Sequence, residues 1–221
     1  MSFYQRLLAK TEAERSDFLA IPLLGAAARG EVGRELYLAF LAQAYHHVKH
    51  TVPLLMTCGA RLPERLEWLR AAVAHYIDEE TGHQEWVLDD IRNCGGDADG
   101  VRRSAPAMAT DIMVAYAYDT VMRRNPVGMF GMVLVLEGTS VKLASQAARA
   151  IQQHLNLPDA CFTYLTSHGS LDAEHLDFFA GLMDRLDEPA DRDAVIGCAR
   201  VMYRLYGDMF RSLTESRRVA A

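Results

Sequence analysis

Glycine and proline are scarce in this chain, 15 and 7 in 221 residues. So few helix-breaking residues exclude a protein of many short strands and turns and favour long helices. Cysteine is scarcer still. Cys58, Cys94, Cys161 and Cys198 stand far apart with no C-x-x-C pair, which removes zinc knuckles and thioredoxin-type redox motifs and leaves reduced thiols as the reading. No run of Lys or Arg offsets a formal charge of −6, so nucleic acid is not an expected partner. The N-terminal MSFYQRLLAKTEAER has neither the apolar stretch nor the cleavage site of a signal peptide. No stretch reaches the roughly 20 apolar residues of a membrane span, because Val133 to Leu136 is followed at once by Glu137. A cytoplasmic protein without a membrane partner is the expectation.

What is present is apolar mass. Half the residues are hydrophobic and 24% charged, enough for a sizeable core. The length suits one domain over residues 1–221. Punctuation predicts an all-α bundle of about seven helical segments, near 2–28, 33–59, 63–93, 105–123, 126–154, 158–186 and 189–217. Pro22 should bend or split the first, Pro53 should kink the second, and Ser104 and Asn125 should cap the fourth and fifth. There are eight histidines, none before His46, and that uneven distribution is the functional lead.

Three motifs account for part of it. In the sixth segment HGSLDAEH carries His168, Asp172 and His175 at steps of i, i+4 and i+7, which on a helix fall within roughly 60° of one another. In the third, DEETGHQEW carries the E-x-x-H pair Glu80 and His83, a spacing used by carboxylate-bridged metal bundles; Glu79, at i−4 from His83, competes with Glu80 for the role. In the fifth, Glu137 follows the apolar run Met129–Leu136 with no basic residue before Lys142. A carboxylate there must be paired with a cation from another helix, protonated, or bound to a metal. Together these residues form a mixed oxygen and nitrogen donor set that suits iron or manganese and could balance two divalent ions.

That order of motifs, E-x-x-H, a lone Glu in an apolar helix, then H-x-x-x-D-x-x-H, resembles the haem-oxygenase-like di-iron oxidases and oxygenases. They belong to the superfamily of thiaminase II, the pyrroloquinoline-quinone synthase and haem oxygenase. The resemblance covers nearly the whole chain, FLAQAYHHVKHTVPLL included. It implies a haem-oxygenase-like bundle in which Glu80, His83, Glu137, His168, Asp172 and His175 hold two irons per chain, cycling between Fe(II) and Fe(III), with Glu137 bridging. It further implies that O2 is used to oxidise a small organic substrate of fatty-acid-like, amino-acid-like or aromatic kind, with an external electron donor and a homodimer as possible partners. Some members form para-aminobenzoate from their own tyrosine with a lysine near the lone Glu; Lys142, five residues after Glu137, does not match that pattern.

Around this set, Tyr76 lies one turn before Glu80 and is a candidate catalytic residue, bonding to a ligand carboxylate or to bound oxygen. Gly128, Gly131 and Gly138 would leave space beside the metals, and Met129, Phe130, Met132, Trp86 and Phe179 would line it or simply pack as core. One of His46, His47 and His50 is expected to point toward the site, with His75 and His154 on solvated faces. The alternatives are a metal-independent enzyme of the same fold, thiaminase II-like or quinone-synthase-like, and an iron-binding protein without turnover. A thiaminase needs a nucleophilic cysteine, and the surroundings of Cys161 do not match. Haem oxygenase needs a proximal histidine in its first helix, where this chain has none.

Overall fold

The computed structural model describes residues 1–170 and 172–219, without the side chains of residues 139–142, 168–170, 172–175 and 215–219. The expected first segment is three helices, α1 (Phe3–Lys10), α2 (Glu12–Leu19) and α3 (Pro22–Ala28). Ser2 and Gln5 form a reciprocal capping box at the start of α1, and Pro22 opens α3. The second segment is α4 (Arg34–Val48) and α5 (Thr51–Arg61). It parts at Lys49–His50 and not at Pro53, because proline in the first turn of α5 gives up an N–H that the helix does not use. A 3-10 turn at Glu64–Leu66 leads into α6 (Glu67–Glu80), and α7 (His83–Asn93) follows.

The short α8 (Ala98–Arg103) occupies what reads in the sequence as loop, and α9 is Met108–Arg123. Ser104 ends α8 and does not cap α9, whose first turn follows Ala107. Asn125 does cap as expected, its side-chain oxygen accepting from the Val127 N–H at 3.1 Å. The turn Pro126–Gly128 then runs into α10 (Met129–Leu155). The sixth segment is α11 (Thr163–Ser170) and α12 (Asp172–Arg185), on either side of residue 171, which lies outside the described residues; α13 (Pro189–Val219) completes the chain. Among the described residues there are thirteen α-helices and no strand, so the all-α reading holds and the seven segments are subdivided.

Two apolar clusters form the interior. The larger joins α6, α9, the first half of α10 and α13 through residues such as Leu69, Met113, Phe130 and Met202. The smaller joins α4, α7, the second half of α10 and α11 through Leu41, Leu88, Ala148 and Leu165. Each fully buried large side chain of this kind contributes roughly 1.5–3 kcal/mol.

α10 belongs to both clusters. By length and composition Pro126–Leu155 could cross a membrane, at a mean hydropathy of 1.5, but 71% of that window is buried inside the fold, as befits a core helix. Against α13 it packs backbone to backbone: a Cβ on Gly131 would lie 2.4 Å from the Val195 carbonyl oxygen. A Cβ on Gly128 would lie 2.8 Å from Thr120. These two glycines are therefore packing contacts, a correction to their reading as space beside metals, whereas a Cβ on Gly138 would meet only Leu134, at 3.7 Å.

The α4–α5 pair runs antiparallel to α10. At one end the Cys58 thiol donates to the Pro126 carbonyl at 3.3 Å; at the other, Gly30, just before α4, sits against the Ala150 carbonyl with no room for a side chain.

Candidate metal centre and cavity

Between these elements lies a cavity of about 160 Å³, open to solvent on one side. Its wall follows α10 from Met129 to Ile151 and the opposite side from Leu55 back to Val32. Leu23, Leu24 and Ala27 of α3 and Phe210 of α13 help to close the sides. The interior is mostly apolar. Its polar groups include Glu80, Glu137, Tyr76, His47, Thr51 and Tyr206.

Glu137 faces this cavity from α10 and Glu80 faces it from the last residue of α6. Burial, reinforced by the charges of Glu80 and Glu79, pushes the Glu137 carboxyl up to about 8. Two carboxylates that penalise each other in a desolvated space form a site that a cation would relieve. Glu79 lies to the side, its carboxylate 3.3 Å from Nε2 of the solvent-facing His75, so Glu80 is the one that reaches the cavity.

His83 is joined to Glu80 differently from the sequence expectation. The two do not share a continuous helix: Thr81 and Gly82 separate α6 from α7, and Gly82 is left-handed at φ 100°. The junction still brings His83 Nδ1 within 2.9 Å of Glu80 Oε2. A carboxylate held on one ring nitrogen is the arrangement that orients metal-binding imidazoles. The ring stacks on Trp86 at 4.2 Å.

Tyr76 lines the cavity and is 2% exposed, and its hydroxyl is buried without a hydrogen-bond partner among the described residues. Burial and the nearby Glu137, Glu79 and Glu80 raise its pKa far above the usual tyrosine value. Such a hydroxyl stays protonated, and burying it unbonded costs about 1–3 kcal/mol. Of the expected lining residues, Met129 and Met132 do line the cavity. Phe130 and Phe179 are core, and Trp86 is 37% exposed.

His47 was one of three alternatives in its cluster, and it is the one that lines the cavity, edge-on to Tyr206 at 5.9 Å between ring centres. Its spacing from Phe40, seven residues along α4, is the sequence signal that marks it. His46 points elsewhere, to Ser104 Oγ at 3.0 Å and Lys49 Nζ at 3.3 Å. His50 pairs with the Tyr118 hydroxyl at 3.1 Å. His75 and His154 are solvent-facing as expected. The side chains of His168, Asp172, His175 and Lys142 lie outside the described residues. Among the described residues no three His, Cys, Asp or Glu side chains converge as a metal site.

No cysteine is among the described residues that line the cavity. All four cysteines are buried, and burial pushes the Cys58 and Cys198 thiols up to about 12, the opposite of what a nucleophile requires. Cys161 is enclosed beside Phe162, its carbonyl accepting from the Tyr37 hydroxyl at 2.8 Å. Before Arg34 the cavity wall is Phe18, Leu23, Leu24, Ala27 and Val32, with no side chain able to ligate haem iron.

A family profile described as an iron-containing redox enzyme matches residues 38–207. The chain belongs to the iron-containing redox enzyme family. That match contains Tyr76, Glu80, His83 and Glu137. Similar solved structures place the family member within the haem-oxygenase-like fold. One is a domain of unknown function with a haem-oxygenase-like fold from Shewanella denitrificans, at a TM-score of 0.85 and 23% identity, covering 97% of this chain and 93% of that one. Haem oxygenase-1 from Synechocystis, solved with haem, gives a TM-score of 0.75 at 11% identity, with 100% and 97% covered. A TenA homologue from Pseudomonas syringae gives 0.78 at 7%, with 96% and 92% covered. No curated protein matches the chain.

Proposed function

We propose that this family member is a non-haem di-iron oxidase or oxygenase that uses O2 to oxidise a small organic substrate. The observation that carries the reading is the pair of carboxylates, Glu80 and Glu137, facing one largely apolar cavity, with His83 held on Glu80. Glu80, His83 and Glu137 would hold iron together with His168, Asp172 and His175. This oxygen-rich, imidazole-containing donor set fits iron, with manganese as the other metal it suits. Bound ferrous iron supplies the electrons and the open coordination positions for O2 chemistry.

The remaining work falls to the chain. Glu80 orients the ring of His83 through its contact with Nδ1. The apolar wall excludes water and binds the organic substrate beside the carboxylates. Tyr76, a lining residue whose buried hydroxyl has no partner among the described residues, would donate a hydrogen bond to the oxygen that arrives there.

Anaerobic titration with ferrous iron tests the reading. About two equivalents per chain should bind, and Glu137→Gln and His175→Ala should each lower the uptake. Uptake that neither substitution changes overturns the ligand assignment. Iron uptake without O2 consumption in the presence of any candidate organic substrate would favour a binding protein over an oxidase.

A further inference from the structure

The carboxylate that α10 contributes to the cavity is not at an end of that wall. On α10 the wall begins at Met129 and finishes at Ile151, with Glu137 between them. At 1.5 Å per residue Glu137 is roughly 12 Å from one end and roughly 21 Å from the other. The opposite wall has the same order. Because α4–α5 meets α10 at Cys58–Pro126 and at Gly30–Ala150, it runs in the opposite sense, and the lining residues Leu55, His47 and Val32 follow one another between those two ends. Tyr37, His47, Thr51, Tyr164 and Tyr206 are polar side chains of the lining, and among the described residues Glu80 and Tyr76 gather about Glu137, close enough for their charges to act on one another. Beyond them one arm is bounded by Leu55, Met129 and Met132, and the other by Leu24, Ala27, Ala147 and Ile151.

An apolar arm on each side of a polar waist suits a particular kind of molecule. A compact polar substrate such as an amino acid would leave both arms empty and would bury charge against them. A chain headed by a terminal polar group would need only one arm.

The geometry points to a long, unbranched, apolar chain that threads past Glu80 and Glu137, so that a segment within the chain, and not its terminus, faces the carboxylates. As a statement about substrate this rests on the oxidase reading; as a statement about binding it does not, so it is tested on metal-free protein.

The probes are hexanol, dodecanol and oleyl alcohol, measured by displacement of anilinonaphthalene sulfonate. Affinity should rise with chain length, by up to roughly fourfold for each methylene that becomes buried. Narrowing either arm should then matter. Ala147→Phe on one side and Met132→Trp on the other should each weaken oleyl alcohol at least about tenfold while leaving hexanol within about threefold. Where either variant fails to fold, by circular dichroism, Ala27→Leu and Thr51→Phe replace them on the same two arms. Loss of oleyl alcohol from one arm only shows terminal presentation and overturns the inference, as does an affinity that does not grow with chain length. If iron binds as proposed but chain length has no effect, the inference fails and the oxidase reading stands. Chain-length dependence through both arms without iron uptake gives the reverse.

Discussion

Tyr76 and His46 show how neighbouring groups decide what a buried polar side chain is for. The Tyr76 hydroxyl has no protein partner among the described residues, so Tyr76→Phe should leave thermal stability unchanged or raise it by about 1 kcal/mol, while slowing O2 consumption by the iron-loaded protein. A drop in stability of more than about 2 kcal/mol would mean that the hydroxyl is bonded in solution. His46 is the opposite case, held on both ring nitrogens. Lys49 donates to Nδ1, so Nε2–H donates to Ser104, whose own hydroxyl donates to the Val101 carbonyl. Burial, together with the positive charge of Lys49, pushes the His46 pKa down to about 4. The unfolded chain takes up this proton below about 6.5 and the folded chain only below about 4, so stability should fall as pH drops through that window and level off beneath it. Denaturant melts of His46→Gln across the same range should be flatter than those of the parent protein.

At the scale of helices, the sequence was most legible where punctuation and chemistry coincide. Asn125-Pro126 and Pro22 mark real helix starts, and Glu137 stands out because an acidic residue interrupts an apolar run. The split between Glu80 and His83 was hidden, because i, i+3 spacing reads as one helix and the left-handed turn that replaces it depends on a single glycine. The roles of Gly128 and Gly131 were hidden for a related reason: local sequence says that space exists, and only the arrival of α9 at Gly128 and of α13 at Gly131 says what fills it. Gly131→Ala should therefore cost about 1–3 kcal/mol or more through backbone overpacking between α10 and α13, measurable by chemical denaturation. Gly82→Ala, with open space around its Cβ but φ 100°, should cost only about 1–2 kcal/mol in strain. It should nevertheless weaken ferrous iron binding, because it disturbs the junction that joins His83 to Glu80.

For the molecule as a whole, the all-α class followed from composition, whereas the hollow interior did not, because apolar residues that line a void have the same sequence pattern as those that fill one. A chain built around empty apolar space gives up stability that a ligand can restore. Ala147→Leu, which fills part of one arm, should raise the melting temperature of the metal-free protein and reduce the further rise produced by dodecanol. A fall in melting temperature would mean that the space at Ala147 is already occupied by neighbouring side chains. The Gly82 junction has one more consequence at this scale. Leu69, Val73 and Tyr76 root α6 in the larger apolar cluster, and Val87, Leu88 and Ile91 root α7 in the smaller one, so the bond from Glu80 to His83 crosses the seam between the two clusters. Because α10 and the side chains of Leu23, Leu36 and Phe40 pack against both clusters, a change in either interior is passed to the junction that carries the site.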